Sequence, residues 1–216
     1  MKKAVIFDLD GLLIDSEIIS YQLYKDLTGR YGHSFSLEEY ARNYSGKTGL
    51  GNMETIIRSY GLPISIEEGL AFVGEKEKEY VKKGVALKTG AKELLAYLKD
   101  RQYCIVLATS STRNRALEIL GQHCLEHYFD DMVFGTEVEN GKPHPDIFLK
   151  ACEKTMEPAQ NCLVLEDSEA GIQAACSAGI DVICIPDMKV PAESFCAMTA
   201  AVLPSLLEVI PWLEEA

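Results

Sequence analysis

The chain has 216 residues, of which 47% are hydrophobic and 25% are charged, a balance typical of a globular protein with a substantial core. Its 33 acidic residues outnumber its 21 basic residues, and the resulting net charge of −12 disfavours nucleic acid and acidic membranes as partners. No stretch reaches the roughly 18 consecutive apolar residues of a membrane span.

The first predicted element is a short strand, AVIFDL at residues 4–9, which runs into two aspartates, Asp8 and Asp10. Side chains two apart on a strand point to the same face, so we expect both carboxylates to enter the same space. Gly11 follows and permits a tight turn or a close backbone approach. Two like charges at one strand end require a partner that neutralises them.

The next region is helical throughout and contains no convincing strand. Helical patterns cover residues 16–32, 36–44, 52–61 and 65–84, with glycines and LPIS marking the turns. We therefore predict an all-α cap subdomain over residues 16–84, inserted into a core made of residues 1–15 and 85–216.

Strands and helices alternate through the rest of the chain. The predicted strands are residues 104–110, 131–135, 162–168 and 181–186, and a weaker one at 200–205. Before the first of these strands, Ala91, Leu94, Leu95 and Leu98 follow a helical spacing. This alternation predicts an α/β fold with a Rossmann-like, doubly wound parallel sheet covered by helices on both faces.

Polar side chains follow several of these strands, where ligands bind in open parallel sheets. Thr109 and Ser110 end the second strand, Lys142 follows the third, and the fourth ends in Glu166 and Asp167. Carboxylate oxygens suit Mg²⁺, while lysine, hydroxyls and helix N-termini suit a phosphate. The pattern therefore predicts a centre that binds Mg²⁺ and a phosphoryl group together.

The two aspartates of the first strand can divide the work of phosphoryl transfer. Asp8, nearer the rigid strand, is our candidate nucleophile, which forms an aspartyl-phosphate. Asp10 is our candidate acid/base, which gives a proton to the leaving alcohol and takes one from the attacking water.

Four segments in order resemble the motifs of the haloacid dehalogenase superfamily of phosphohydrolases: FDLDG, LATSS, GKPHPD and LEDSEAG. The resemblance implies that Thr109 and Lys142 bind the phosphoryl group and that Asp8, Glu166 and Asp167 bind Mg²⁺ through their carboxylates. It also implies that Asp10 offers its backbone carbonyl to the metal. The helical insert resembles the small α-helical cap of this superfamily, as in beta-phosphoglucomutase and sugar-phosphate phosphatases.

The resemblance leaves two activities open, a phosphatase and a beta-phosphoglucomutase-type mutase. Ser20 stands where the mutase has a cap histidine, and Lys47 stands near the position of its cap arginine. Lysine can hold a phosphate as a point charge but lacks the bidentate fork of arginine. We therefore expect a phosphatase acting on a small phosphorylated metabolite, a sugar or polyol phosphate, with Lys47 and Ser110 as further phosphate ligands.

The alternative hypothesis is that the protein is not an enzyme but a phospho-receiver or a phosphate-binding module. Receivers are shorter, lack a helical insert and lack a second aspartate two residues after the acceptor, so we favour the enzyme. We expect a cytoplasmic monomer or weak dimer. The seven scattered cysteines, none in CxxC spacing, fit reduced thiols in that compartment.

Overall fold

The computed structural model describes residues 2–215 and divides the chain into two compact units. One unit is α/β and contains the described residues up to Ile14 together with those from Ala86 onward. The other is helical and spans Asp15–Val85. In chain order, the helical unit is inserted between the first and second strands of the sheet.

A six-stranded parallel sheet forms the centre of the α/β unit, in the order β3-β2-β1-β4-β5-β6. The strands are Ala4–Phe7 (β1), Cys104–Thr109 (β2), Asp131–Phe134 (β3), Cys162–Glu166 (β4), Asp181–Cys184 (β5) and Ala201–Val202 (β6). The predicted doubly wound α/β fold with a helical insert is confirmed.

The central strands are apolar along their whole length because both faces of the sheet are covered. On one face, Ile6 and Val164 pack in a single cluster with Phe148 and Ile172, which come from two helices of this unit. The alternate residues, such as Val5, are equally inaccessible to solvent. Burial of this apolar surface is the main force that holds the sheet and its helices together.

Among the described residues, six α-helices complete the α/β unit. They are Ala91–Asp100 (α5), Arg113–Gln122 (α6), Asp146–Thr155 (α7), Glu169–Ser177 (α8), Glu193–Cys196 (α9) and Val209–Glu215 (α10). The predicted apolar face of α5 is buried, and α5 packs against β2. Pro145 directly precedes α7. A backbone N–H at this position would have no partner within the helix, so proline is tolerated there.

The helical unit consists of four helices, as predicted. They are Ser16–Arg30 (α1), Leu37–Asn43 (α2), Gly49–Tyr60 (α3) and Ile66–Lys83 (α4). Ser65 caps α4 in a capping box with Glu68. The interior is aromatic: Phe35 and Tyr44 have ring centroids 5.3 Å apart, and Tyr40 lies within 6.4 Å of both.

Within residues 2–215, none of the helices combines the length and apolar character needed to cross a membrane.

Candidate active site

The candidate active site lies at the carboxyl ends of the central strands of the α/β unit. Asp8 directly follows β1, Thr109 is the last residue of β2, and Glu166 is the last residue of β4. Because β1 pairs in parallel with both β2 and β4, these three ends are neighbours. Ligands bind at this edge of open parallel sheets.

The path of the chain after β1 differs from the expected one. The strand ends at Phe7, two residues earlier than predicted, although the Asp8 N–H still donates to the Leu165 carbonyl at 3.1 Å. The chain then turns at Gly11, whose φ of +79° favours glycine. The strand alternation that we used to place Asp8 and Asp10 on one face therefore does not extend to Asp10.

Lys142 occupies the centre of the site, although it comes from the loop after β3. Its Nζ donates to Asp8 Oδ1 at 2.6 Å and to Glu166 Oε1 at 2.5 Å. The ammonium also lies 4.9 Å from the centre of the Phe148 ring. All three charged side chains are buried, so the lysine neutralises two carboxylates from adjacent strands where solvent screens their charges little.

Burial and mutual repulsion shift the pKa values of these groups. Burial, together with the charges of Glu166 and Asp10, raises the pKa of Asp8 from 3.8 to about 7, although Lys142 opposes the shift. The pKa of Asp167 is raised well above 3.8 by burial and by the neighbouring Glu166, Asp8 and Asp187 carboxylates. Burial alone would lower the pKa of Lys142, but Asp8 and Glu166 outweigh it and raise the value. The site therefore holds more negative charge than one lysine can balance.

Among the described residues, Asp8, Glu166 and Asp167 form a cluster in which one oxygen from each carboxylate lies within 4.8 Å of the others. Gly11 makes the approach of Asp167 possible, because a Cβ at Gly11 would lie 2.2 Å from Asp167 Oδ2. Three clustered oxygen donors with excess negative charge fit a hard divalent cation such as Mg²⁺.

Glu166 is held more firmly than the other two carboxylates. Its Oε2 accepts hydrogen bonds from the backbone N–H groups of Asp167 and Ser168, both at 2.8 Å, and from Ser168 Oγ at 3.0 Å. Its Oε1 already receives Lys142. The side chain lies under the first turn of α8, where a Cβ at Gly171 would lie 1.8 Å from Oε1. Glu166 thus fixes Lys142 and the start of α8 as well as contributing charge to the cluster.

Asp10 has different partners from those of Asp8. Ser111 Oγ donates to Asp10 Oδ2 at 2.7 Å, and Arg115 Nη1 lies 2.8 Å from Oδ1 and 3.0 Å from Oδ2. The Asp10 carboxylate is partly exposed, and it is not one of the three clustered ones. The two aspartates are therefore close enough to interact but are positioned by separate groups.

Comparison with known proteins identifies the family to which this arrangement belongs. The profile of the haloacid dehalogenase-like hydrolase family matches residues 5–185, which include the three strand ends that form the candidate site. The chain belongs to this family. The expected membership in the superfamily and the expected enzyme class, a phosphoric monoester hydrolase, are both confirmed.

Relatives of this hydrolase include phosphatases. It is 35% identical to a phosphorylated carbohydrates phosphatase of Thermotoga maritima over 181 residues, which cover 84% of this chain and 83% of the relative. It is 32% identical to a (DL)-glycerol-3-phosphatase of Arabidopsis thaliana over 96% of this chain and 71% of the relative. The crystal structure of a putative beta-phosphoglucomutase from Thermotoga maritima superimposes with a TM-score of 0.83 at 30% identity, covering 100% of both chains.

The hydroxyl residues at the end of β2 of this hydrolase differ in their environment. Thr109 is fully buried, and its Oγ1 accepts a hydrogen bond from the Ser111 N–H at 3.0 Å. Ser110 is exposed, and its carbonyl packs so closely on Gly135 that a Cβ there would lie 2.5 Å from the oxygen. The roles of Thr109 and Ser110 as phosphate ligands stay predictions.

Lys47 belongs to the helical unit of the hydrolase. It is exposed, and its Nζ donates to the Asn43 carbonyl at 2.6 Å. Its role as a phosphate ligand also stays a prediction.

The sequence did not indicate Arg115, and it indicated Ser111 only as one of the hydroxyls at the end of the second strand. One signal was present: Arg113 and Arg115 occupy the first turn of α6, which contains no acidic residue. Cations are unfavourable there because the helix dipole places positive charge at the N-terminus. Two arginines in that turn indicate partners elsewhere in the fold.

Proposed function

We propose that this hydrolase is a Mg²⁺-dependent phosphatase that hydrolyses a small phosphorylated metabolite, a sugar or polyol phosphate, through an aspartyl-phosphate on Asp8. The observation that carries the proposal is the position of the Lys142 ammonium, 2.6 Å from Asp8 Oδ1 and 2.5 Å from Glu166 Oε1. The lysine restrains Asp8 at the strand end and supplies the positive charge that an incoming phosphoryl group requires.

In the proposed first step, an Asp8 carboxylate oxygen attacks phosphorus and the bond from phosphorus to the leaving oxygen breaks. The leaving oxygen takes the bond electrons and receives a proton from Asp10. Water then attacks phosphorus, gives a proton to Asp10, and releases inorganic phosphate from Asp8. Asp8 and Asp10 are held by different side chains, which agrees with different roles for them, because the nucleophile and the proton carrier need different orientations.

The proposed Mg²⁺ would be held by the carboxylates of Asp8, Glu166 and Asp167 and by the backbone carbonyl of Asp10. Their donor set suits the ion, since it offers only oxygen atoms and excess negative charge. When bound, Mg²⁺ neutralises negative charge on the phosphoryl oxygens. Among the protein groups, Lys142 and Thr109 would bind the phosphoryl group, with Ser110 and Lys47 as further ligands.

The substrate class is supported by two relatives, which are a phosphorylated carbohydrates phosphatase and a glycerol-3-phosphatase. The reducing compartment that we propose, the cytoplasm, agrees with seven free cysteines in the described chain.

A mutase is the second candidate, because a putative beta-phosphoglucomutase shares the fold at 30% identity. Ser20 and Lys47 stand where that type of enzyme carries a histidine and, nearby, an arginine, and these differences favour the phosphatase. Supplying glucose 1-phosphate with a bisphosphate primer separates the two activities. A phosphatase releases free sugar and phosphate, whereas a mutase forms glucose 6-phosphate.

The direct test is phosphate release from a panel of sugar and polyol phosphates, with and without Mg²⁺. We expect hydrolysis that EDTA abolishes and that Asp8→Asn reduces to background. A matched control is Asp131→Asn, which removes a carboxylate that pairs with Lys154 on another part of the same unit. Absence of Mg²⁺-dependent phosphate release from every phosphomonoester would refute the proposal and favour a receiver or phosphate-binding role.

A further inference from the structure

The carboxylate of Asp10 is enclosed by a small hydrogen-bonded triangle. Arg115 Nη1 contacts both carboxylate oxygens, at 2.8 and 3.0 Å, and also lies 2.6 Å from Ser111 Oγ. Ser111 Oγ in turn donates to Asp10 Oδ2 at 2.7 Å. A carboxylate with donors on both oxygens has a fixed orientation, because rotation about its bonds would break two contacts at once.

The position of Arg115 in its helix indicates that the arginine is there for its contact with Asp10. It lies in the first turn of α6, where a positive side chain opposes the helix dipole. The same turn contains no acidic residue, so it offers the arginine no carboxylate partner of its own. Arg113 in the same turn has its own partners, Glu137 at 2.9 Å and the Phe134 ring at 4.4 Å. Both arginines therefore form tertiary contacts with residues outside α6.

The two arginines differ in what their contacts connect. Arg113 is mostly exposed and pairs with a carboxylate outside the catalytic groups. Arg115 is four-fifths buried and pairs with the proposed acid/base. A buried, charge-assisted contact restrains its partner far more than an exposed ion pair does.

We propose that Arg115, acting with Ser111, is a positioning residue that holds the Asp10 carboxylate in the orientation required for proton transfer to the leaving oxygen. The inference rests on the proposed phosphatase function. Arg115 acts through Asp10, so its loss should affect only those reactions whose leaving group needs the proton.

The leaving group provides the test. A sugar or polyol is a poor leaving group as an alkoxide, so it requires a proton from Asp10 and leaves as the alcohol. By contrast, p-nitrophenolate is a stable anion and leaves without a proton. The ratio kcat/KM reports the first chemical step, in which the phosphorus–leaving-oxygen bond breaks. We expect Arg115→Met to lower kcat/KM for an alkyl phosphate by about 10- to 100-fold, in line with the effect of misplacing a catalytic group. With p-nitrophenyl phosphate the same variant should stay within about threefold of the wild type.

Arg113→Met is the matched control, since it removes an arginine from the same helical turn without touching Asp10. Arg113→Met should leave kcat/KM for both substrates unchanged. Arg115→Lys keeps the charge and should recover part of the alkyl phosphate activity. It also provides a second variant if Arg115→Met unfolds, which circular dichroism would detect.

A double-mutant comparison completes the experiment. In an Asp10→Asn background, Arg115→Met should produce no further loss on the alkyl phosphate, because the group that it orients is already disabled. Equal losses on alkyl and aryl phosphates, or full additivity with Asp10→Asn, would overturn the inference while leaving the phosphatase intact. Failure of the wild type on every phosphomonoester would instead overturn the proposed function, and this inference with it.

Discussion

At the scale of single residues, Lys142 is the side chain on which the arrangement of the site depends most. Its ammonium is buried between Asp8 and Glu166, with contacts at 2.6 and 2.5 Å. The sequence placed Lys142 correctly in a strand-end loop. It did not indicate the contact with Glu166, because that contact depends on how the loop after β3 crosses toward β4, which local propensities do not encode.

Replacement of this lysine therefore tests stability and activity together. Lys142→Met leaves two buried carboxylates without their counter-charge, and we expect the free energy of unfolding to fall by about 3–5 kcal/mol. Phosphatase activity should be lost as well. Urea denaturation measures the first effect and phosphate release the second.

Lys154→Met is the control, because Lys154 pairs with Asp131 near the surface and should contribute only about 0–1 kcal/mol. Equal destabilisation by the two substitutions would contradict the role assigned to Lys142.

At the scale of elements, the strands and most helices could be predicted because their signals are local. Apolar runs indicated the strands, and LPIS at residues 62–65 marked the turn before α4. The start of α3 was placed three residues late, at 52 instead of Gly49, because Thr48 caps it through Gly51 in a glycine-rich segment that reads as a loop. The contact of Arg115 with Asp10 was missed because it joins α6 to the loop after β1 and has no local signature.

Two helical glycines provide an element-scale prediction. Gly171→Ala adds a Cβ 1.8 Å from Glu166 Oε1 and should displace the carboxylate, lowering both stability and activity. Gly74→Ala, in the interior of α4, meets open space and should stabilise the protein by about 0.4–1 kcal/mol. The melting temperature should fall in Gly171→Ala and rise in Gly74→Ala. Shifts of the same sign in the two variants would contradict the close packing of Gly171 on Glu166.

At the scale of the whole molecule, the acidic cluster links stability to pH and to metal. The pKa of Asp8 is raised to about 7 and that of Asp167 is raised as well, so the folded, metal-free protein retains protons that the unfolded chain releases. This contribution is fully present below about pH 4 and is lost as the pH rises toward 7.

In EDTA, we therefore expect this part of the unfolding free energy to decline between about pH 4 and pH 7, by an amount on the order of a few kcal/mol. Asp167→Asn removes one of the titrating groups and should make the decline shallower. Urea titrations of both proteins across this range measure the difference. Identical pH dependence of the two would contradict the assigned charges.

Mg²⁺ should replace the retained protons and restore stability at neutral pH, because a ligand that binds only the folded state stabilises it. The melting temperature of the wild type should rise with Mg²⁺ concentration, and that of Asp167→Asn should not. An equal rise in both proteins would place the ion elsewhere.

The proposed mechanism depends most directly on Asp8 as the nucleophile. The decisive measurement is to incubate the Asp10→Asn variant with Mg²⁺ and p-nitrophenyl phosphate, then reduce with borohydride and map the peptides. We expect hydrolysis of the intermediate to be slow in this variant, because the proposed base is removed. We expect reduction of the aspartyl-phosphate to homoserine at position 8 and none in a parallel sample of Asp8→Asn. Phosphate release without modification of Asp8, or modification of a different carboxylate, would contradict the proposed mechanism.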